Sequence, residues 1–306
     1  MTAPSHFAIV TRDELWSLDR HTVLESRLIH GSAEQHGNRI DARDDSDDEL
    51  RRLCDAECDR LREALKGLRE GRARAVASAT RVGGNVTTTS TISATVLDLS
   101  VATTLPHLAP DYEMLVDLAS VKPTVDTDYA RLPVVWRNGS GAVLLHEAAG
   151  HAAEHGHAQL AWPRWLSATD ESEDGASNLL AGEAPRALRR QSFADVPLRR
   201  MTNVVIGSDS DSPLPDSRIE VLLVAGGRYE PLSGMVSLFV SAADEIDGGK
   251  SSRVRPFMIL ESRASIAAAM RGALGPVRRY PGVICSREGQ ELFVGSYAPD
   301  LITDFR

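Results

Sequence analysis

Leu144-Leu145-His146-Glu147-Ala148-Ala149-Gly150-His151-Ala152-Ala153-Glu154-His155-Gly156-His157 is the stretch around which the rest of the chain is organised. Four of the nine histidines fall within its last twelve residues. An apolar run, Ala142 to Leu145, leads into it, and Glu147 directly follows the first histidine. Imidazoles grouped with a carboxylate suit a catalytic transition metal, because they offer neutral nitrogen ligands beside an oxygen base. The common zinc-protease helix places its histidines at i and i+4. Here the pair is His146 and His151, at i and i+5. Five α-helical steps rotate by about 500°, so the two rings of a regular helix would point roughly 140° apart. They can share one ion only where the helix widens or bends, and a single π turn does this. Gly150, a weak helix former just before the second histidine, eases such a distortion. Two regular i, i+4 pairs compete, Glu147 with His151 and His151 with His155. Spacing alone therefore leaves two readings open: a zinc site, or an amphipathic helix with a histidine-rich solvent face.

The surrounding chain has 306 residues, 42% hydrophobic and 25% charged, an ordinary composition for one large or two modest domains. Its 34 Lys and Arg against 43 Asp and Glu give a net charge of -9, a poor match for a phosphate backbone, so no nucleic-acid partner is expected. No apolar run approaches the ~20 residues that span a bilayer, and no membrane association is expected. Met1 to Asp19 carries Asp13, Glu14 and Asp19 and shows no secretory apolar core. Three cysteines are an odd count in a chain too large to need disulfide staples, which points to thiols in a reducing cytoplasm.

Taken in order, residues 1 to about 47 read as weakly ordered in places. The acidic run Asp41 to Glu49 reads as a solvated loop feeding a helix N-terminus, where carboxylates meet the positive end of the dipole. Leu50, Leu53, Cys54, Leu61, Ala64, Leu65 and Leu68 then recur at helical spacing up to Gly71. Cys54 and Cys58 sit at i, i+4 on this helix and read as core thiols rather than ligands. Ala75 to Val82, Gly83-Gly84-Asn85 and Val86 to Val96 read as a β-hairpin, with a further strand over Leu97 to Thr104. Pro133 to Trp136 is a short strand, and Arg137 to Gly141 a turn into the histidine helix. Ser167 to Asn178 is acidic, small and unpatterned and reads as a mobile loop. Strands are expected over Asn203–Gly207, Ile219–Val224, Met235–Ser241 and Val254–Leu260. A helix is expected over Ser262–Leu274, stopped by Gly275-Pro276, and Tyr280 to Gln290 reads as a turn carrying Cys285. The fold class is therefore α+β. A helix-plus-antiparallel-sheet domain over residues 1–125 precedes a strand-rich C-terminal domain over 126–306 that carries the metal-binding helix.

Four segments in order carry a resemblance to a known family. His146-Glu147-Ala148-Ala149-Gly150-His151, with Glu154 three residues on, resembles the HExxxH helix of the TldD/PmbA metalloproteases. Arg189-Arg190-Gln191-Ser192-Phe193 and Pro197-Leu198-Arg199-Arg200-Met201-Thr202-Asn203 resemble that family's Arg-rich stretch. Gly282-Val283-Ile284-Cys285 with Glu288-Gly289-Gln290 resembles its terminal cysteine segment. The matches span about Pro133 to Gln290, roughly the C-terminal half.

This resemblance implies a ligand set that the histidine helix alone does not supply. In TldD-type members two histidines and a distant cysteine hold zinc, which here correspond to His146, His151 and Cys285, with Glu147 as general base. PmbA-type partners, also called TldE, lack these ligands, so the resemblance places this chain on the active side, as a zinc metallopeptidase. It implies a heterodimer with a PmbA/TldE-like homologous subunit and an unstructured peptide, or a peptide-like biosynthetic intermediate, as substrate. Gly150, Arg190 and Asn203, which lie in the matching segments, are expected to contact that substrate. The chain departs from the family in having His155-Gly156 where Gly-Asp usually follows Glu154. It is also shorter between the helix and Arg189, at the N-terminal domain and after Gln290. Two other readings stay open: a non-catalytic subunit that completes a partner's substrate channel, and a small-molecule amide hydrolase on the same metal site. His155 and His157 read as surface histidines.

Overall fold

The computed structural model describes residues 6–17, 20–30, 48–64, 71–82, 85–97, 99–104, 108–157, 159–191 and 195–306. The chain separates into two compact units. The first takes in Met1–Val116, Arg190–Val196 and Ser286–Leu292, and the second Asp117–Arg189, Pro197–Cys285 and Phe293–Arg306. The class is α+β, with an antiparallel sheet and helix first and a strand-rich second part.

In the first unit, β1 (His6–Ser17), β2 (Arg20–His30), β3 (Gly71–Val82), β4 (Asn85–Val96) and β5 (Leu99–Thr103) form one sheet in the order β2-β1-β3-β4-β5. The β3–β4 hairpin has the register the sequence implies, with Val82 opposite Asn85. Its Gly83-Gly84 turn lies outside the described residues, as do most of the acidic run before Asp48 and the helix positions Leu65 and Leu68. Helix α1 (Asp48–Ala64) begins on Asp48 and Glu49, and packs Leu50, Cys54 and Cys58 against Ala8, Val10, Ala77 and Ala79. The Cys54 thiol donates to the Ala8 carbonyl at 3.2 Å, so both helix cysteines are core residues. Strands β1 and β2 replace the weak order expected at the N-terminus. Their signal is hidden because the inward face of β1 continues from Ala8 and Val10 into Arg12 and Glu14. These two are buried as an ion pair, which breaks the apolar alternation that marks a strand.

The second unit is built on a mixed ten-stranded sheet. Its strands are β6 (Val134–Trp136), β7 (Leu166–Ser172), β8 (Gly175–Asn178), β11 (Asn203–Ser208), β12 (Arg218–Glu230), β13 (Met235–Asp247), β14 (Lys250–Val254), β15 (Phe257–Ser262), β16 (Met270–Arg287) and β17 (Gln290–Thr303). They run β14-β13-β12-β6-β17-β11-β7-β8, with β15 beside β13 and β16 beside β17. Two short strands, β9 (Leu188–Arg189) and β10 (Leu198–Arg199), pair separately. Helix α2 (Leu108–Ser120) precedes the second unit's sheet. Among the described residues no helix is long and apolar enough to cross a membrane.

Three expectations need correction here. Ser167 to Asn178 is not a mobile loop but the β7–β8 hairpin. Leu166, Ala168 and Asp170 point inward in alternation, and Asp170 is an interior acceptor for the backbone N–H groups of Thr202 (2.6 Å) and Asn203 (3.1 Å). A carboxylate at an inward position makes such a strand read as a loop. The helix after Ser262 is α5 (Arg263–Ala269), and it passes into β16 at Met270, well before Gly275-Pro276. Tyr280 to Arg287 is strand, not turn, so Cys285 is presented from β16. The hairpin turns only at Glu288 (φ 50°) and Gly289 (φ 79°), two left-handed residues as a tight turn requires.

Candidate metal centre

The histidine stretch enters the second unit through a tightly held turn. Asp300 accepts from Arg137 Nη1 and from the Asn138 backbone N–H, both at 2.8 Å. A left-handed Gly139 (φ 84°) follows, where a Cβ would stand 2.8 Å from the Arg278 carbonyl. The site helix then runs as α3 (Gly141–Leu145), a π turn over His146–His151 and α4 (Ala152–Glu154). Gly141 to Gly150, His146 among them, are all buried, whereas His151 is half-buried and His155 exposed. The π turn lowers the rotation per residue, which brings positions i and i+5 toward one side of the helix. The His146 and His151 rings meet edge to face, with centroids 4.8 Å apart. Gly150 keeps ordinary helical φ, and its role is room: a Cβ there would collide with the sulfur of buried Met201.

Cys285 completes the group. Its Sγ lies 3.5 Å from His151 Nε2, and the ligand atoms of His146, His151 and Cys285 all lie within 4.8 Å of one another. Among the described residues this is the one cluster of three or more His, Cys, Asp or Glu groups arranged to hold a metal ion. Glu147 Oε2 lies 3.8 Å from His151 Nε2. Two atoms of the site are buried without a hydrogen-bond partner, His146 Nδ1 and Glu147 Oε2. Buried polar atoms are normally satisfied, so a place where they are not is a place built for something else. Two imidazoles and a thiol, converging around orphaned polar atoms, fit a borderline-soft divalent cation.

Burial and neighbouring charge divide the protons unequally. Burial holds His146 well below the usual imidazole range, helped by the charges of His151 and Arg200, so its lone pair is free. For His151 burial also pulls downward, but hydrogen bonds to Cys285 and Glu154 and the Glu147 charge outweigh it and hold the ring well above that range. Burial lifts Glu147 to about 7; His151 and the Tyr229 N–H pull it down, and Glu154 pushes it up.

Around this group are residues whose roles spacing does not reveal. Glu154 Oε2 takes His151 Nδ1 at 2.9 Å, and its Oε1 accepts the Met201 N–H at 3.1 Å. A carboxylate on the far nitrogen fixes the tautomer and orientation of a ligating imidazole. Arg200 is fully buried, donates to the Cys285 carbonyl at 2.6 Å and sits 4.0 Å from Glu154. Arg189 bonds the Phe293 carbonyl at 2.8 Å and also the Met201 carbonyl. Of the Arg-rich stretch, Arg200 is buried and Arg189 half-buried, while Arg190 and Arg199 are exposed; the signal in the sequence is a run of cations ending in Met201-Thr202-Asn203. The residues expected to touch substrate contribute no atom to the cluster. Gly150 faces Met201, Asn203 donates through Nδ2 to the Glu171 carbonyl at 3.1 Å, and Arg190 is exposed in the first unit. His157 bonds the Tyr229 hydroxyl through Nδ1, and the His155 ring lies 5.8 Å from the His157 ring.

No protein-family model matches the sequence, and no curated protein matches it. Among solved structures the chain is similar to TldE from Thermococcus kodakarensis, at TM-score 0.51 and 8% identity over 99% of this chain and 97% of that one. It is also similar to a protein from Thermotoga maritima described as a candidate modulator of DNA gyrase (TM-score 0.46, 10% identity, 98% of this chain and 94% of that one). A Bacteroides thetaiotaomicron protein of the same description aligns at TM-score 0.41 and 11% identity, again over 98% and 94%. The likeness to the first is one of fold along the whole length of both chains.

Proposed function

We propose that this chain is the zinc-binding subunit of a metallopeptidase that cleaves unstructured peptides or a peptide-like biosynthetic intermediate beside a homologous PmbA/TldE-like subunit. The observation that carries the reading is the convergence of His146, His151 and Cys285, on two elements far apart in sequence, with their ligand atoms within 4.8 Å. A fold shared with TldE is compatible with either kind of subunit; the presence of all three ligands favours the catalytic one. Three protein donors are the number of a catalytic rather than a structural zinc site. Zinc held there would polarise a scissile carbonyl and activate a water for attack.

The remaining chemistry belongs to the chain. Glu147 is the general base: its unpartnered Oε2 takes a proton from the attacking water and returns it to the leaving amine nitrogen. Burial raises the proton affinity of this carboxyl, which suits a group that takes up a proton and gives it back. Glu154 keeps the His151 Nδ1 proton, which leaves Nε2 facing Cys285. Arg200, through the Cys285 carbonyl, fixes the strand that presents the thiol. The reading draws nothing from Arg190, Asn203 or Gly150 as substrate contacts.

The test is hydrolysis of an unstructured peptide by the zinc-loaded chain, alone and mixed with a PmbA/TldE-like subunit, followed by release of new amino termini. Cleavage in the mixture that a chelator stops is the expected result. A zinc-loaded chain that cleaves no peptide in either setting, yet hydrolyses small amides, would move the reading to the amide hydrolase.

A further inference from the structure

We infer that Arg263 is a positioning residue for the metal group, holding the π turn in the register that turns His146 and His151 toward each other. The inference rests on the zinc reading above and deepens it. A regular helix would separate the two rings by roughly 140°, so their meeting depends wholly on the π turn. A π turn carries one residue more than the regular ladder, and a carbonyl inside it needs a donor from elsewhere when water is excluded. Ala148, in the middle of the turn, is fully buried, and its carbonyl accepts from Arg263 Nε at 2.7 Å. A guanidinium is a charge-assisted donor, roughly twice as strong as a neutral one.

The anchor is itself fixed. Arg263 opens α5, where the Ser262 hydroxyl caps the helix by accepting the Ser265 N–H at 3.0 Å. Its own N–H donates to the Gly234 carbonyl at 3.1 Å. The same guanidinium lies 5.9 Å from the centre of the Tyr229 ring, whose hydroxyl meets His157 Nδ1 just beyond the site helix. Glu147 packs against the strand that carries Tyr229, where a Cβ at Gly227 would stand 2.5 Å from its Cγ. One cation therefore bridges the widened turn and the strand against which the general base packs. A planar guanidinium can donate to the carbonyl and lie near the aromatic ring together, which a single ammonium does less well.

The test compares the full chain with Arg263→Ala and Arg263→Lys, using zinc affinity by chelator competition and the absorption spectrum of the cobalt-loaded site. Arg263→Ala is expected to weaken zinc by 10–100-fold, the usual cost of losing an outer partner of a metal site, and to change the cobalt bands. Arg263→Lys should fall between it and wild type. A lower melting temperature in the metal-free variants, with zinc affinity and cobalt spectrum equal to wild type, would mean a purely structural residue and overturn the inference. Should Arg263→Ala fail to fold, Arg263→Lys decides: affinity equal to wild type overturns the inference, and weaker affinity supports it. A wild-type chain that takes up neither zinc nor cobalt would instead remove the zinc reading on which the inference stands.

Discussion

Glu147 lies 3.8 Å from His151 with one carboxylate oxygen unpartnered, so its replacement separates metal binding from chemistry. Glu147→Gln keeps the shape of the side chain and removes the base. It is expected to retain zinc while hydrolysis falls by about 10²–10⁴-fold; a variant with activity close to wild type would strike Glu147 from the mechanism. Cys54 makes the opposite kind of prediction. Burial in the α1 core pushes its thiol from 9.0 up to about 11, so little reactive thiolate forms near neutral pH. Iodoacetamide at pH 8 should leave Cys54 unlabelled in the native chain and label it in denaturant, as read by peptide mapping; rapid native labelling would contradict its place in the core. The sign of the linked stability follows. The folded value lies above the unfolded one, so the contribution is intact below pH 9 and is lost as pH rises toward 11, by about 1.4 kcal/mol for each unit of that gap. At this scale the sequence was readable wherever spacing alone forces geometry. His146 and His151 at i, i+5 either require a π turn or do not meet. Arg200 and Asp170 were legible as residues and illegible as roles, because their partners are backbone groups from other elements, and Glu154 pairs with the same-helix His151 as well as the distant Met201 N–H.

The site helix is the element on which opposing effects can be weighed. Gly150→Ala would gain about 1 kcal/mol from helix propensity alone. The new Cβ would collide with the sulfur of Met201, a flexible but fully buried side chain that must repack to make room. Overpacking of this kind costs about 1–3 kcal/mol, so the net change is expected to be destabilising. Chemical denaturation should show it, and Gly150→Ala with Met201→Ala should recover part of the loss relative to Met201→Ala alone. A stabilised single variant would mean the helix shifts freely, against the packing described. Elements whose inward faces are apolar were visible in sequence: the β3–β4 hairpin, and β11 and β12 with Val204, Ile206, Ile219 and Val221 buried. Elements with polar inward faces were not. The β7–β8 hairpin buries Asp170 and Ser177, and β1 buries Arg12 and Glu14, so each lost the alternation by which a strand is recognised. Cys285 was misplaced onto a turn for a different reason. The Gly-Pro and Pro-Gly pairs at Gly275-Pro276 and Tyr280-Pro281-Gly282 look like breaks, yet β16 runs through both.

At the scale of the whole molecule, the proposed reading needs elements from both ends of the second unit. The helix supplies two donors, and β16, more than a hundred residues later, supplies the third. The same reading makes the chain one half of a pair. Mixed with a PmbA/TldE-like subunit, it should elute as a one-to-one complex by size-exclusion chromatography with light scattering; two independent peaks at micromolar concentration would argue against the pairing. The central claim is narrower than the assembly and can be tested on this chain by itself: His146, His151 and Cys285 together hold one zinc ion. Zinc per chain, measured by elemental analysis after loading and exhaustive desalting, should be one for wild type and for Glu147→Gln, and should drop to near zero for Cys285→Ser. Full zinc occupancy in Cys285→Ser would contradict the three-ligand site.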